Sequence, residues 1–191
     1  MKKKVLYMAA IIICLSIISG GTLAYFSTAD TARNVITSDG IDVLVVEQQL
    51  VNGKLVAYPN EAIPAIPGTV HSKIVTVKNV DAPAWIRVSI DVKVLDARGN
   101  TVEVDAADIG KAVIINTDSE YWTYKNGWWY YNSAVETGNS TEALFESVEF
   151  SGRDMGNIFQ GKSVDITVTA QAVQKANNGE TVMEVKGWPE S

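Results

Sequence analysis

The amino-acid sequence predicts an all-β protein: a jelly-roll-like antiparallel β-sandwich preceded by an N-terminal signal peptide. Three observations carry this prediction. The N-terminus is short, basic and then apolar; β-branched residues alternate with polar ones from about residue 41 onward; and Asn-Gly and Pro-Gly turn signals separate the alternating stretches.

Lys2, Lys3 and Lys4 form a positive region, and residues 5–18 form an almost unbroken apolar stretch, the shape of a secretory leader. The run loosens at Ser19-Gly20-Gly21-Thr22, and Leu23-Ala24 supply small-residue cleavage chemistry, so the cut is expected between Ala24 and Tyr25. The alternative is an uncleaved anchor, since counting through Phe26 approaches the roughly 20 residues of a spanning helix. The glycines and small residues at the end of the run favour cleavage. The expected organisation is a signal peptide over 1–24, an N-terminal leader over 25–40 and one β-sandwich domain over 41–191.

Cleavage leaves 167 residues, enough for one domain with a sizeable core. It removes three lysines and no acids, taking the formal charge from −6 to −9. Such a surface repels phosphate backbones, so nucleic acid is not an expected partner, and membrane contact is expected only before cleavage. The one cysteine, Cys14, lies in the apolar segment, where Ile13 does not fit a lipoprotein site. The remaining chain has no thiol and must be stabilised by packing without disulfides.

The clearest strands cover 84–95 and 163–174. In the first, Ile86, Val88, Ile90, Val92 and Val94 share one face, with Arg87, Ser89, Asp91 and Lys93 on the other. In the second, Val164, Ile166, Val168, Ala170 and Ala172 face in, with Asp165, Thr167, Thr169 and Gln171 out. Weaker strands are expected at 41–50, 54–58, 70–80, 101–104, 113–116, 121–125, 128–131, 144–150 and 181–186, and short helical turns near 105–111 and 140–144. Asn52-Gly53 and Asn126-Gly127 carry the two positive φ angles of a type I′ hairpin turn. The absence of a βαβ rhythm selects a sandwich of jelly-roll or immunoglobulin-like type.

Catalytic chemistry finds few residues to use. His71 is the only histidine, no G-x-S-x-G elbow surrounds a serine, and no H-E-x-x-H segment exists. His71 is expected as a solvated strand-end residue. Acids such as Asp91, Asp105, Glu120 and Glu149 are dispersed, and nothing selects a glycosidase pair among them. No cofactor is expected. Calcium is a more plausible ligand of an acidic exported domain, although Asp96, Asp105 and Asp108 lack the spacing of a recognisable loop.

The most unusual local feature is residues 121–131, Tyr-Trp-Thr-Tyr-Lys-Asn-Gly-Trp-Trp-Tyr-Tyr. A two-residue turn at Asn126-Gly127 pairs Lys125 with Trp128, Tyr124 with Trp129, Thr123 with Tyr130 and Trp122 with Tyr131. One face then gathers Trp122, Tyr124, Trp129 and Tyr131. The opposite face, with Tyr121, Trp128 and Tyr130, is a candidate glycan or partner platform; the competing reading is a hairpin wedged into the sandwich core.

The leader junction Gly20-Gly21-Thr22-Leu23-Ala24-Tyr25-Phe26-Ser27-Thr28-Ala29-Asp30 resembles the TasA/camelysin family and its SipW-type signal peptides. The segment Asn34-Val35-Ile36-Thr37-Ser38-Asp39-Gly40-Ile41-Asp42-Val43 is similar to that family's first mature strand. Ile66-Pro67-Gly68, followed by Lys73-Ile74-Val75-Thr76-Val77-Lys78-Asn79, resembles its turn and second long strand, and Ala172-Val173-Gln174 and Gly187-Trp188-Pro189 are similar to its endings.

The resemblance implies a secreted jelly-roll subunit of extracellular fibres or biofilm matrix, released by a SipW-type signal peptidase. It also implies a segment that leaves its own domain to complete a neighbour's sheet, with Tyr25, Phe26, Val35, Ile36, Ile41 and Val43 as candidate donor residues. The partners expected are copies of the same chain or related fibre subunits, and the expected location is extracellular or at the cell surface. The competing reading of residues 25–40 is a disordered leader. Camelysin's metallopeptidase activity is not carried over, because one histidine and no metal motif leave it without a visible site.

Overall fold

The computed structural model describes residues 35–37, 41–59 and 61–189. The expected leader, the cleavage residues Ala24 and Tyr25, and Phe26 lie outside the described residues. In chain order the strands are β1 (Val35–Thr37), β2 (Val43–Val51), β3 (Lys54–Ala57), β4 (Ile63–Pro64), β5 (Val70–Asn79) and β6 (Ala84–Leu95). There follow β7 (Thr101–Val102), helix α1 (Ala106–Ala112), β8 (Val113–Ile115), β9 (Trp122–Lys125), β10 (Trp128–Tyr131), β11 (Phe145–Phe150) and β12 (Ser163–Gln174).

Two sheets pack together as a β-sandwich, as the alternation predicts. The first has the order β1-β12-β6-β10-β9, with β4 also on β12 and β7 also on β6; the second has the order β3-β2-β5-β11-β8. The spine of the first is the antiparallel ladder that runs from Ser163 opposite Leu95 to Gln174 opposite Ala84. Alternate residues of this ladder, among them Ile86, Val88, Val94, Val164 and Val168, turn inward and meet Val43 and Val45 of β2, Val75 and Val77 of β5, and Phe145 and Phe150 of β11. Each such side chain contributes about 1.5–3 kcal/mol on burial, and without disulfides this core holds the two sheets together.

The turns follow their chemistry. Asn52 and Gly53 have φ of 52° and 75°, and Asn126 and Gly127 have φ of 51° and 83°, the paired positive values that twist a two-residue hairpin in the sense of its strands. The helical turn expected near 105–111 is α1, capped where the Asp105 carboxylate accepts from the Ala107 N–H at 2.8 Å.

Two expectations are corrected. Residues 140–144 form no helix, because the Thr141 and Leu144 N–H groups donate to the carbonyls of Val77 and Val75 and the segment runs along β5. Residues 181–186 form no strand. Their backbone closes a turn in which the Glu184 N–H donates to Thr181, and Val182 and Val185 are buried against Trp85 and Val173 on the outer surface of the first sheet. The strand β4 was not expected, since two residues are too few to display a period.

Candidate functional site

The first candidate site is the edge of the first sheet. β1 pairs in parallel with β12, with Val35 opposite Ala170, Ile36 opposite Gln171 and Thr37 opposite Ala172. On the same side of β12, β4 covers Ser163 and Val164. No described strand pairs with residues 166–169 on that side, so β1 and β4 are short patches on a long strand.

The candidate donor residues divide accordingly. Val35 and Ile36 lie on β1, while Ile41 is 4 % exposed and Val43 fully buried, the latter on β2 opposite Asn79. Withdrawing Ile41 and Val43 would open cavities in the domain's own core, at a cost of several kcal/mol. A donated segment that leaves the fold intact therefore ends before Ile41.

The second candidate site is the aromatic hairpin. Its register places Trp128 opposite Lys125, Trp129 opposite Tyr124, Tyr130 opposite Thr123 and Tyr131 opposite Trp122, as its turn predicts. Trp122 and Tyr131 have ring centroids 5.0 Å apart and Tyr124 and Trp129 4.9 Å apart, in tilted arrangements. Trp122 is buried in the core, and β10 joins β6 through Trp129 opposite Val88 and Tyr130 opposite Arg87.

The platform face is partly covered. The Arg87 guanidinium lies 4.1 Å from the Trp128 ring centroid and 4.8 Å from that of Trp188, between the two indoles. Arg87 donates from Nε to the Gln171 side-chain oxygen at 2.8 Å, from one terminal nitrogen to the Tyr130 hydroxyl at 3.3 Å, and from the other to the Pro189 carbonyl at 2.9 Å. Trp188 also meets Tyr130 edge-on at 5.7 Å. Arg87 thus covers Trp128, and Trp188 of the chain's own C-terminal segment covers Tyr130. Tyr121 is exposed, and Glu120 beside it, with Glu142 and Asp118, raises its hydroxyl above the usual tyrosine range.

Arg87 and Gln171 were expected on a solvent-facing surface, but Arg87 is nearly buried and Gln171 fully so. The Gln171 side-chain nitrogen has no hydrogen-bond partner among the described residues. The signal for this covered face was Trp85 and Val173 in the outward phase of their strands, together with Trp188 near the end of the chain.

A largely buried ion pair joins β5 to β2. Lys73, in phase with Val75 and Val77 and 3 % exposed, donates to Glu47 at 2.6 Å, and its ammonium lies 4.0 Å from the Tyr58 ring centroid. Burial, then the carboxylates of Glu47 and Glu61, raises the Tyr58 hydroxyl above its ordinary value.

The remaining polar candidates hold local structure. His71 is partly buried rather than solvated, stacked edge-on against Phe150 at 5.6 Å and hydrogen-bonded to the Thr69 hydroxyl. Asp96 accepts from the backbone of Asn100 and Arg98 in a tight turn, which lowers its carboxyl below the usual range, with the Asn100 contact foremost. Asp105 caps α1 and Asp108 pairs with Lys111 at 3.7 Å. Asp91 pairs with Lys93, while Glu149 lies on β11 and Glu120 in the turn before β9. Among the described residues no three acidic, histidine or cysteine side chains converge as metal ligands, and no helix is long and apolar enough to cross a membrane. Comparison with protein-family models, with characterised proteins and with solved structures found no match to this chain.

Proposed function

We propose that this chain is an exported, non-enzymatic subunit of an extracellular fibre or biofilm matrix, a jelly-roll protein of the TasA/camelysin type. A SipW-type signal peptidase removes residues 1–24, cutting between Ala24 and Tyr25. The freed N-terminal segment, ending before Ile41, then pairs with β12 of a neighbouring copy in place of that copy's own β1. Head-to-tail repetition of a contact of this kind builds an open filament.

The observation that supports this reading is the position of β1. It is the first described strand, it is three residues long, and its one ladder partner is β12 at the border of a sheet. A short border strand held through one ladder is the part of a sandwich exchanged at least cost, because the core behind it stays packed. The test is electron microscopy of the secreted protein beginning at Tyr25 beside a version lacking residues 25–40 whose fold is checked by thermal melting. Filaments formed by the first and not by the second support the reading; persistent monomers, or equal assembly by both, would count against it.

A further inference from the structure

The second sheet ends in a hairpin that nothing described covers. β2 and β3 meet at Asn52-Gly53, with Leu50 opposite Leu55 and Gln49 opposite Val56. Every residue of β3 is exposed, and the apolar ones are conspicuous: Leu50 is 54 % exposed, Leu55 55 % and Val56 40 %. β3 is the last strand of its sheet, so along its outer side no described strand pairs with its main chain. An apolar border strand with an unpaired ladder is a template for another strand.

The polarity of the hairpin selects the occupant. Lys54 stands at its tip, and at its base the exposed Glu61 lines a small cavity beside Tyr58, in which Glu47 is already paired with Lys73. We infer that β3 pairs antiparallel with β3 of a second copy, joining two five-stranded sheets edge to edge about a twofold axis. Side chains opposed across a ladder must share a face, which leaves few registers. The register with Val56 opposite the partner's Val56 sets Leu55 against Ala57 and brings Lys54 of each copy to Tyr58 of the other, beside Glu61. The same positive tip and negative base then meet twice, once on each side of the axis. Identical secreted chains of net charge −9 otherwise repel one another, and this edge joins a cation to a carboxylate at both ends. The edge lies on the sheet opposite β1 and β12, so it is separate from the strand exchange proposed above and holds copies side by side.

Sedimentation of the secreted protein over a range of concentrations, after fibres are removed by centrifugation, tests the inference. The expected result is a reversible monomer–dimer equilibrium that Val56→Lys abolishes. Lys54→Glu alone and Glu61→Lys alone each weaken dimerisation by up to about fivefold, as expected for a pair of exposed ion pairs. An equimolar mixture of these two variants restores it, because each mixed dimer again sets opposite charges together at both ends. A monomer at every concentration, a Val56→Lys variant that dimerises normally, or a mixture no stronger than its components would overturn the inference.

Discussion

Ile36 lies in parallel register with Gln171, so the first described strand closes against the last. Gln171 is also the residue that accepts from Arg87 beneath the C-terminal segment. One position on β12 therefore joins the N-terminal strand by its main chain and the C-terminal cover by its side chain.

Arg87→Ala removes a cation from between two indoles and three hydrogen bonds, and should cost about 3 kcal/mol of stability. Trp188→Ala should cost about 2 kcal/mol, less than a fully buried tryptophan because Trp188 is half-buried. Since both remove the same stack, the double variant should fall short of the sum. Urea unfolding of the four proteins measures this; strict additivity would show that the stack is not a unit.

Glu47→Ala takes away the carboxylate that Lys73 bonds at 2.6 Å in a nearly closed position, and should cost about 2–4 kcal/mol. Adding Lys73→Met should recover much of the loss, because a buried pair is harder to break by halves than to replace whole. The check is the urea midpoint of the double variant against that of Glu47→Ala.

The raised hydroxyl of Tyr58 gives a pH dependence whose sign is determined. Its proton is held more tightly folded than unfolded, so its contribution is fully present below the unfolded value of 10.0 and is lost as pH rises towards the folded value. Tyr58→Phe should flatten the fall in unfolding midpoint above about pH 10. Equal slopes in the two proteins would contradict this.

In the aromatic hairpin, Gly127→Ala places a side chain at φ 83° and should cost about 1 kcal/mol. Trp122→Ala should cost about 3–5 kcal/mol as a buried tryptophan, and Tyr121→Ala less than about 0.5 kcal/mol as an exposed residue. Thermal melts rank the three, and a large effect at Tyr121 would contradict the assignment of the inner face.

Much of this fold was legible because alternation and turn chemistry are local. The phase of Ile86 and Val88 against Arg87 and the register after Asn126-Gly127 follow from a period of two and a pair of positive φ angles. What was not legible depends on contacts distant in sequence. Arg87 and Gln171 share the phase of solvent-facing residues, and only the return of Trp188 buries them. Val182 and Val185 have strand-like composition but no ladder to join, so they became the underside of a turn. Lys73 lies in the inward phase of β5 with Val75 and Val77, a place that its charge alone does not announce and that Glu47 makes tolerable. Ile41 and Val43 continue the pattern of the N-terminal segment, yet their burial ties them to the domain and sets the limit of any exchanged strand.

The measurement that bears most directly on strand exchange introduces a pair of cysteines into a secreted chain that has none of its own, since Cys14, the single cysteine of the sequence, departs with the leader in this account. Val35→Cys and Ala170→Cys together place two thiols at directly opposed positions of β1 and β12, within the Cα separation a disulfide spans. Exchange between copies predicts a ladder of covalent oligomers on a non-reducing gel of the assembled secreted protein, collapsing to monomer on reduction. A single monomeric band, from a bond closed within each chain or from none, would contradict it.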